Sequence, residues 1–596
     1  MPDLSVRGQP ELMLAGFLSV VLTATSSAAD LNHVVDTGKR REALQSSRRL
    51  FVRQYHKPDL SFCNSAVCVD FDNDGRREIM FASRRTKELQ MLNAAEGSVI
   101  WSRKFVGDQQ SIMACDLDGD GKFEILYSVS SPGRLYVLDA AGEVLRQWDS
   151  GDSKLGNSAV ILDVDGDGRL DGLLGTRYRY LVRLKMADLT PAQQRSDWVQ
   201  CGCHTSAMDV DRDGLWDCFA GSGDDTHGKG VLHRFDPLTL KSLWSYKTND
   251  NASSADAVLA DIDGDGQVEV IKSVDNYADD DAHDAIFAFR IDGKLLWEAR
   301  GFAGEDTPNV ADLDGDGDVE IIGMTFGGEV YCLDSNGLLK WRRDLRPALS
   351  DRDAHAYLTP ILCDVNGDRD LEIIALTNGG YFDASGRSSS GQRAVPGIVF
   401  AVSADGEILD QFDVGGPRYW GDAFACNVDE DPYLELVVSG SGGLDVIQTK
   451  GFGPNTEHFQ RRRSYQRLNV VPWAYEDSYF IGRGTKQHVV NLTDNLVLAK
   501  DDGRHRSSGK FTTELLTPPP DGFFDQISWE ARTSDTASLK VNILDRFRHR
   551  ICSGLTSGTK LQIDEPVHLE FVFSTTDQSF TPTLDSYSLK FLRTSR

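Results

Sequence analysis

The stretch DAVLADIDGDGQVEVIKSV, Asp256–Val274, decides the fold. A short apolar run, too brief for a helix, leads into nine acid-rich residues from Asp261 and leaves as a second run rich in β-branched side chains. Such runs, bounded by turn residues, read as two strands joined by a loop. Working outward, AIFAFRIDGKLLWEA (Ala285–Ala299) adds a third strand, an Asp292-Gly293 hairpin and a fourth strand carrying Trp297. One unit is therefore strand, acidic loop, strand, variable loop, strand, hairpin, strand.

The acidic nonapeptide, acid-x-acid-x-acid-Gly-x-x-acid, recurs along the chain. Its copies are DFDNDGRRE from Asp70, DLDGDGKFE from Asp116, DVDGDGRLD from Asp163 and DVDRDGLWD from Asp209. DIDGDGQVE from Asp261, DLDGDGDVE from Asp312, DVNGDRDLE from Asp364 and a worn NVDEDPYLE from Asn427 complete the set. Their first residues are 46, 47, 46, 52, 51, 52 and 63 apart. Four strands per repeat at so even a spacing predict an all-β chain whose residues 50–450 form an eight-bladed β-propeller, seven blades plus an appendage being the alternative. The last copy lacks a fourth strand, whereas LFVRQY (Leu50–Tyr55) has no partner upstream of the first. Pairing the two would close the ring and remove both free edges.

Beyond Lys450 the pattern stops. Residues 451–510 are basic and turn-rich, with Arg461, Arg462 and Arg463 together, and read as a linker or irregular segment. FTTELL, DQISWEA, SLKVNIL, HLEFVF and DSYSLKFL then predict a β-sandwich over 511–596.

Carboxylates at loop positions 1, 3 and 5 suit a hard cation that takes six to eight oxygens. An EF-hand would add a Glu at position 12, but here that position is never acidic, as Phe81, Leu174 and Lys272 illustrate. Position 9 is acidic in every copy and closes the set instead. The expected Ca2+ ligands are Asp70, Asp72, Asp74 and Glu78; Asp116, Asp118, Asp120 and Glu124; Asp163, Asp165, Asp167 and Asp171; and Asp209, Asp211, Asp213 and Asp217. Asp261, Asp263, Asp265 and Glu269, then Asp312, Asp314, Asp316 and Glu320, then Asp364, Asn366, Asp368 and Glu372 continue the series. Four anions in nine residues repel one another without a counter-ion. The last two copies depart from the pattern, with Arg369 and Pro432 in place of the glycine.

These loops resemble the FG-GAP/VCBS-type calcium-binding β-propeller repeats of integrin heads and many secreted bacterial proteins. The likeness covers about residues 50–450 and implies one calcium ion per intact loop, held for rigidity. The Tyr136–Asp139…Gly142 and Tyr331–Asp334…Gly337…Trp341 strings are also similar to quinoprotein-dehydrogenase-like propellers.

With 63 Lys and Arg against 91 Asp and Glu, the net charge is −28, which repels nucleic acid. LMLAGFLSVVLTATSSAA (Leu12–Ala29) reads as a signal peptide over 1–29 with cleavage after Ala29, so export is expected: secreted, periplasmic or cell-surface. A start at Met13 or an uncleaved membrane anchor is the alternative. The ten cysteines suit an oxidising compartment, Cys63/Cys68 and Cys201/Cys203 being the closest pairs. Cys115, Cys363 and Cys426 fall at equivalent repeat positions and read as small buried strand residues.

Counting strands puts every acidic loop at one end of the ring and every variable loop at the other. Binding residues concentrate in variable loops on rigid scaffolds. The ligand candidates there are Arg177, His227, Tyr277, His283, His355, Arg418, Tyr419 and Trp420, a set suited to a sugar. Three function classes stay open at this point. A protein binding a polysaccharide or cell-surface glycan comes first, and a polysaccharide lyase or hydrolase related to propeller-type rhamnogalacturonan lyases second. A quinoprotein-like dehydrogenase is third. No residue is marked as catalytic.

Overall fold

Strand pairing follows the repeat. The computed structural model describes residues 49–57, 66–451 and 478–593, apart from loop segments within them; the longest of these are 197–204, 209–215, 223–229, 249–256, 275–284, 346–358, 378–396 and 415–422. The first sheet runs Ala66–Val69, Glu78–Ser83, Glu88–Asn93, Val99–Lys104, each strand antiparallel to the next. Six more four-stranded meanders follow in chain order. An eighth sheet joins Ala423–Cys426, Glu435–Val438 and Leu444–Gln448 to Val52–Lys57 from the start of the described chain.

The second strand of each sheet is buried on both faces, which is why EIMFAS and EVIKSV read as continuous runs without alternation. First strands of neighbouring sheets touch, as Ala66–Val69 does Asp108–Cys115, and Ala257–Ala260 does Asn309–Ala311. Fourth strands such as Val99–Lys104 alternate between exposed and half-buried. The first strand thus lies at the axis and the fourth at the rim. Apolar clusters fill each junction between neighbouring sheets. One of them packs Ala66, Cys68 and Phe81 of the first sheet against Phe424, Cys426 and Leu444 of the eighth. The ring is a closed β-propeller. Cys115, Cys363 and Cys426 are buried on axial strands, as is Cys68.

Rim tryptophans tie the first, fourth, fifth and sixth sheets each to the next. Trp297 Nε1 donates to Ser335 O at 2.9 Å, and Trp341 Nε1 to Ala404 O at 2.8 Å. The receiving hairpin must carry glycine. Gly337 has φ +77°, and a Cβ there would stand 2.6 Å from the Trp297 ring.

The closing strand does the same job with a tyrosine. Tyr55 Oη donates to Ala94 O at 2.7 Å, beneath the hairpin at Gly97. Tyr55→Phe should therefore cost about 1 kcal/mol, the net worth of one hydrogen bond, seen as a lower urea midpoint with unchanged slope. An unchanged midpoint would mean the ring alone makes this tie.

Two further sheets pack face to face beyond residue 478. One orders Val489–Leu492, Asn495–Leu498, Thr583–Arg593, Gly522–Arg532 and Thr559–Ile563. The other orders Thr485–Gln487, Ser508–Thr512, Val567–Thr575, Ala537–Asp545 and Arg550–Leu555. Phe511, Phe524, Ile527, Val541, Phe571 and Phe573 form the core of this β-sandwich. Its sheets take in strands from 485 to 498, inside the segment read as a linker. The runs VVNL and NLVL are apolar but only four residues long, and the arginine-rich, turn-rich stretch before them sets the composition of the segment.

Candidate metal loops and the opposite face

Each acidic loop connects the first and second strands of a sheet. In a meander that connection shares an end with the third-to-fourth hairpin. Second-to-third loops and sheet-to-sheet links occupy the other end.

The position-9 acid is the first residue of the second strand, which draws it inward. Glu78, Glu124, Asp171, Asp217, Glu269, Glu320, Glu372 and Glu435 are all buried. In the six loops described with a glutamate here, one carboxylate oxygen is held by the backbone. The N–H groups of Phe71, Leu117, Ile262, Leu313, Val365 and Val428 donate to Oε2 of the glutamate seven residues on, at 2.8–3.1 Å. The earlier acids bend the loop around themselves. Asp74 N–H donates to Asp70 Oδ1 at 3.1 Å, and Asp167 N–H to Asp163 Oδ1 at 3.1 Å.

Carboxylate oxygens converge as a result. In the sets Asp70/Asp72/Glu78, Asp116/Asp118/Glu124, Asp163/Asp165/Asp167, Asp261/Asp263/Glu269 and Asp312/Asp314/Asp316, one oxygen from each residue lies within 4.8 Å of the others. Burial, reinforced by the charges of Asp72, Asp70 and Asp74, pushes the Glu78 carboxyl up to about 8. Burial likewise raises Asp171 to about 6 and Glu372 to about 8. These groups hold a proton or a cation far more readily than free carboxylates do.

Side chains from outside the nonapeptide also reach the loops. Lys340 Nζ donates to Asp314 Oδ2 and Glu320 Oε1, both at 2.8 Å. Arg234 Nε donates to Asp217 Oδ1 at 2.9 Å, and Arg183 lies 3.4 Å from Asp165 and Asp171. Gln448 Nε2 donates to Glu435 Oε1 at 2.7 Å. None of these four stands out in sequence, because each is brought to its loop by strand pairing.

Asp120, Asp209, Asp211, Asp213 and Asp265 lie outside the described residues, as do all the ligand candidates: Arg177, His227, Tyr277, His283, His355, Arg418, Tyr419 and Trp420. Their flanking strands are described. Those bracketing 177, 227, 277 and 283 are second and third strands, and those bracketing 355 and 418–420 are fourth and first. The connections they belong to therefore leave the sheets at the end opposite the acidic loops. Leu12–Ala29 and the pair Cys201/Cys203 also fall outside the described residues, among which no helix is long and apolar enough to cross a membrane.

Residues 283–347 match the family model of the lambda-carrageenase β-propeller domain. Lambda-carrageenases of a Pseudoalteromonas species and of Pseudoalteromonas carrageenovora are 43% identical to this chain over 58 residues, which is 9% of the chain and 6% of each relative. Among solved structures, BamB from Moraxella catarrhalis aligns with a TM-score of 0.41 at 13% identity, covering 67% of this chain and 100% of that one. Saccharomyces cerevisiae Sqt1 aligns at 0.47 and 10% identity, covering 67% and 99%. The family-model match begins at the third strand of the fifth sheet and takes in the sixth sheet, with its acidic loop and both Trp297 and Trp341. What this chain shares with the carrageenase domain is thus the build of a propeller blade.

Proposed function

We propose that this chain is an exported β-propeller that binds a polysaccharide on the face opposite its acidic loops, with calcium held in several of those loops as structural ions. The likeness of residues 283–347 to the lambda-carrageenase propeller carries the polysaccharide reading. Both that likeness and the Leu12–Ala29 segment favour export. Calcium fits the donor chemistry. The converging ligands are all carboxylate oxygens, hard and anionic, and burial of the position-9 acid leaves it in need of a counter-charge. The FG-GAP/VCBS type of loop belongs to the same proposal. In it the chain's residues divide the work: backbone N–H groups orient the position-9 carboxylate, and the Asp side chains close the turn. A bound ion would supply the missing positive charge.

Hydrolysis is the second reading, favoured by the name of the matched relatives. Affinity electrophoresis in gels cast with lambda-carrageenan, run beside a reducing-end assay, separates the two. Retardation without new reducing ends supports binding alone, and release of reducing ends makes the protein a hydrolase. Neither effect across a wider polysaccharide panel would overturn the polysaccharide reading.

A further inference from the structure

We infer that the acidic loops of the sixth, seventh and eighth sheets are filled by the chain's own nitrogen donors and take no metal ion. This rests on the calcium reading of the remaining loops and is drawn among the six loops with a position-9 glutamate; in the third and fourth loops Arg183 and Arg234 reach the position-9 aspartates instead.

The position-9 glutamate marks the division. Its Oε2 is held by a backbone N–H in each of the three loops. Its Oε1 is the other carboxylate oxygen, and in all three a side-chain nitrogen already sits on it. Lys340 Nζ is 2.8 Å from Glu320 Oε1, Asn366 Nδ2 is 2.7 Å from Glu372 Oε1, and Gln448 Nε2 is 2.7 Å from Glu435 Oε1. A nitrogen donor at hydrogen-bond distance from that oxygen stands where a cation bound to the same oxygen would have to be.

Two of the donors are also the odd residues at their positions. Lys340 directly precedes the rim tryptophan Trp341, whereas Ile100, Leu243 and Leu296 precede Trp101, Trp244 and Trp297. Only in the sixth sheet does a cation stand there, and it bridges Asp314 and Glu320 as a divalent ion would. Asn366 replaces the acid found at position 3 in every other loop. Its Nδ2 reaches Asp368 Oδ2 as well, at 2.8 Å, while its Oδ1 accepts from the Asp368 N–H. That bonding pattern turns the amide nitrogen, not its oxygen, towards the carboxylates. In the eighth loop Gln448 and Glu435 are both buried, and Asn427 spends its amide on the carbonyl of Asp431.

The test is metal stoichiometry in the full chain. Protein saturated with calcium, desalted in metal-free buffer and measured by plasma mass spectrometry should carry about five ions or fewer, one for each remaining loop at most. Lys340→Leu restores the aliphatic residue of the other sheets and should add one equivalent. Asn366→Asp should independently add one, which keeps the test usable if either variant folds poorly. In both variants the rise in melting temperature on adding calcium should exceed that of the wild type. More than five equivalents in the wild type, or variants that gain none, would overturn the inference while leaving the calcium reading intact. No calcium in any of the proteins would overturn both.

Discussion

Stripping calcium should lower the melting temperature of the propeller far more at about pH 8 than at about pH 5.5, a window set by the raised carboxyls and by linkage. Ligation exists only in the folded loops, so metal stabilises by mass action, about 2.7 kcal/mol for a site held at a hundred times its Kd. Several such sites on one cooperative ring make this the largest solution effect expected. The pH dependence follows from the direction of the shifts. Glu78 is pushed up to about 8 and Asp171 to about 6, chiefly by burial. Their folded values lie above their unfolded ones, so the metal-free folded protein holds more protons than the unfolded chain between those values. Its stability falls as pH rises through that window. Calcium requires the deprotonated carboxylates, so the holo protein gains where the apo protein loses. Calorimetry with calcium or EDTA at matched ionic strength, at both pH values, checks this. Identical melting temperatures with metal content verified as zero would end the calcium reading. Asp263→Ala should shrink the calcium-dependent shift, whereas Asp431→Ala, in the loop satisfied by Gln448, should not.

How much of this was legible in sequence depends on the range of the interaction. The acidic loop, the Asp-Gly hairpin and the runs beside them are local, and their even repetition alone implies a ring of four-stranded sheets. The unpaired LFVRQY run could be matched to the incomplete last repeat by counting strands. The strand forms at Val52–Lys57, two residues further on than the run as read at Leu50–Tyr55. Contacts between sheets were not legible. Trp297 and Ser335 are 38 residues apart, and Trp341 and Ala404 63. The tryptophan of one repeat serves the hairpin of the next, so reading each repeat by itself pairs Gly337 with Trp341 when its ring partner is Trp297. The donors at Lys340 and Gln448 were hidden for the same reason. Neither lies in the nonapeptide, and only pairing in the sheet brings them to it.

Deleting residues 1–57 should leave no folded monomer, whereas deleting 1–48 should change little. The closing strand does more than complete a ladder. Phe51 packs edge-on to Phe412, with ring centroids 6.5 Å apart, inside the cluster joining the seventh and eighth sheets. Arg53 Nε donates to Asp445 Oδ1 at 2.6 Å and its guanidinium lies over the Phe412 ring, while His56 Nδ1 is 3.1 Å from Asp445 Oδ2. Gln54 Nε2 donates to Ala95 O and Asp429 Oδ2, both at 3.1 Å, which ties the strand to the first sheet as well. Removing it strands a carboxylate that is 0% exposed in the intact ring, a loss of about 3–5 kcal/mol for a buried pair broken on one side. Losing Phe51 adds about 3–5 kcal/mol more, and the Leu444–Gln448 strand becomes an open edge. The sum approaches the whole stability of an ordinary domain, about 5–15 kcal/mol. Gel filtration and circular dichroism melts of the two truncations check this, with Arg53→Met as the milder case that keeps the strand and removes only the guanidinium's contacts with Asp445, the Asp413 carbonyl and the Phe412 ring. A monomeric 58–596 chain melting at the wild-type temperature would mean that seven complete sheets and a three-stranded eighth close the ring by themselves. Aggregation of the 58–596 chain beside a well-behaved 49–596 chain would locate the closure in these nine residues, because the edge they cover is the one that other chains could then pair with.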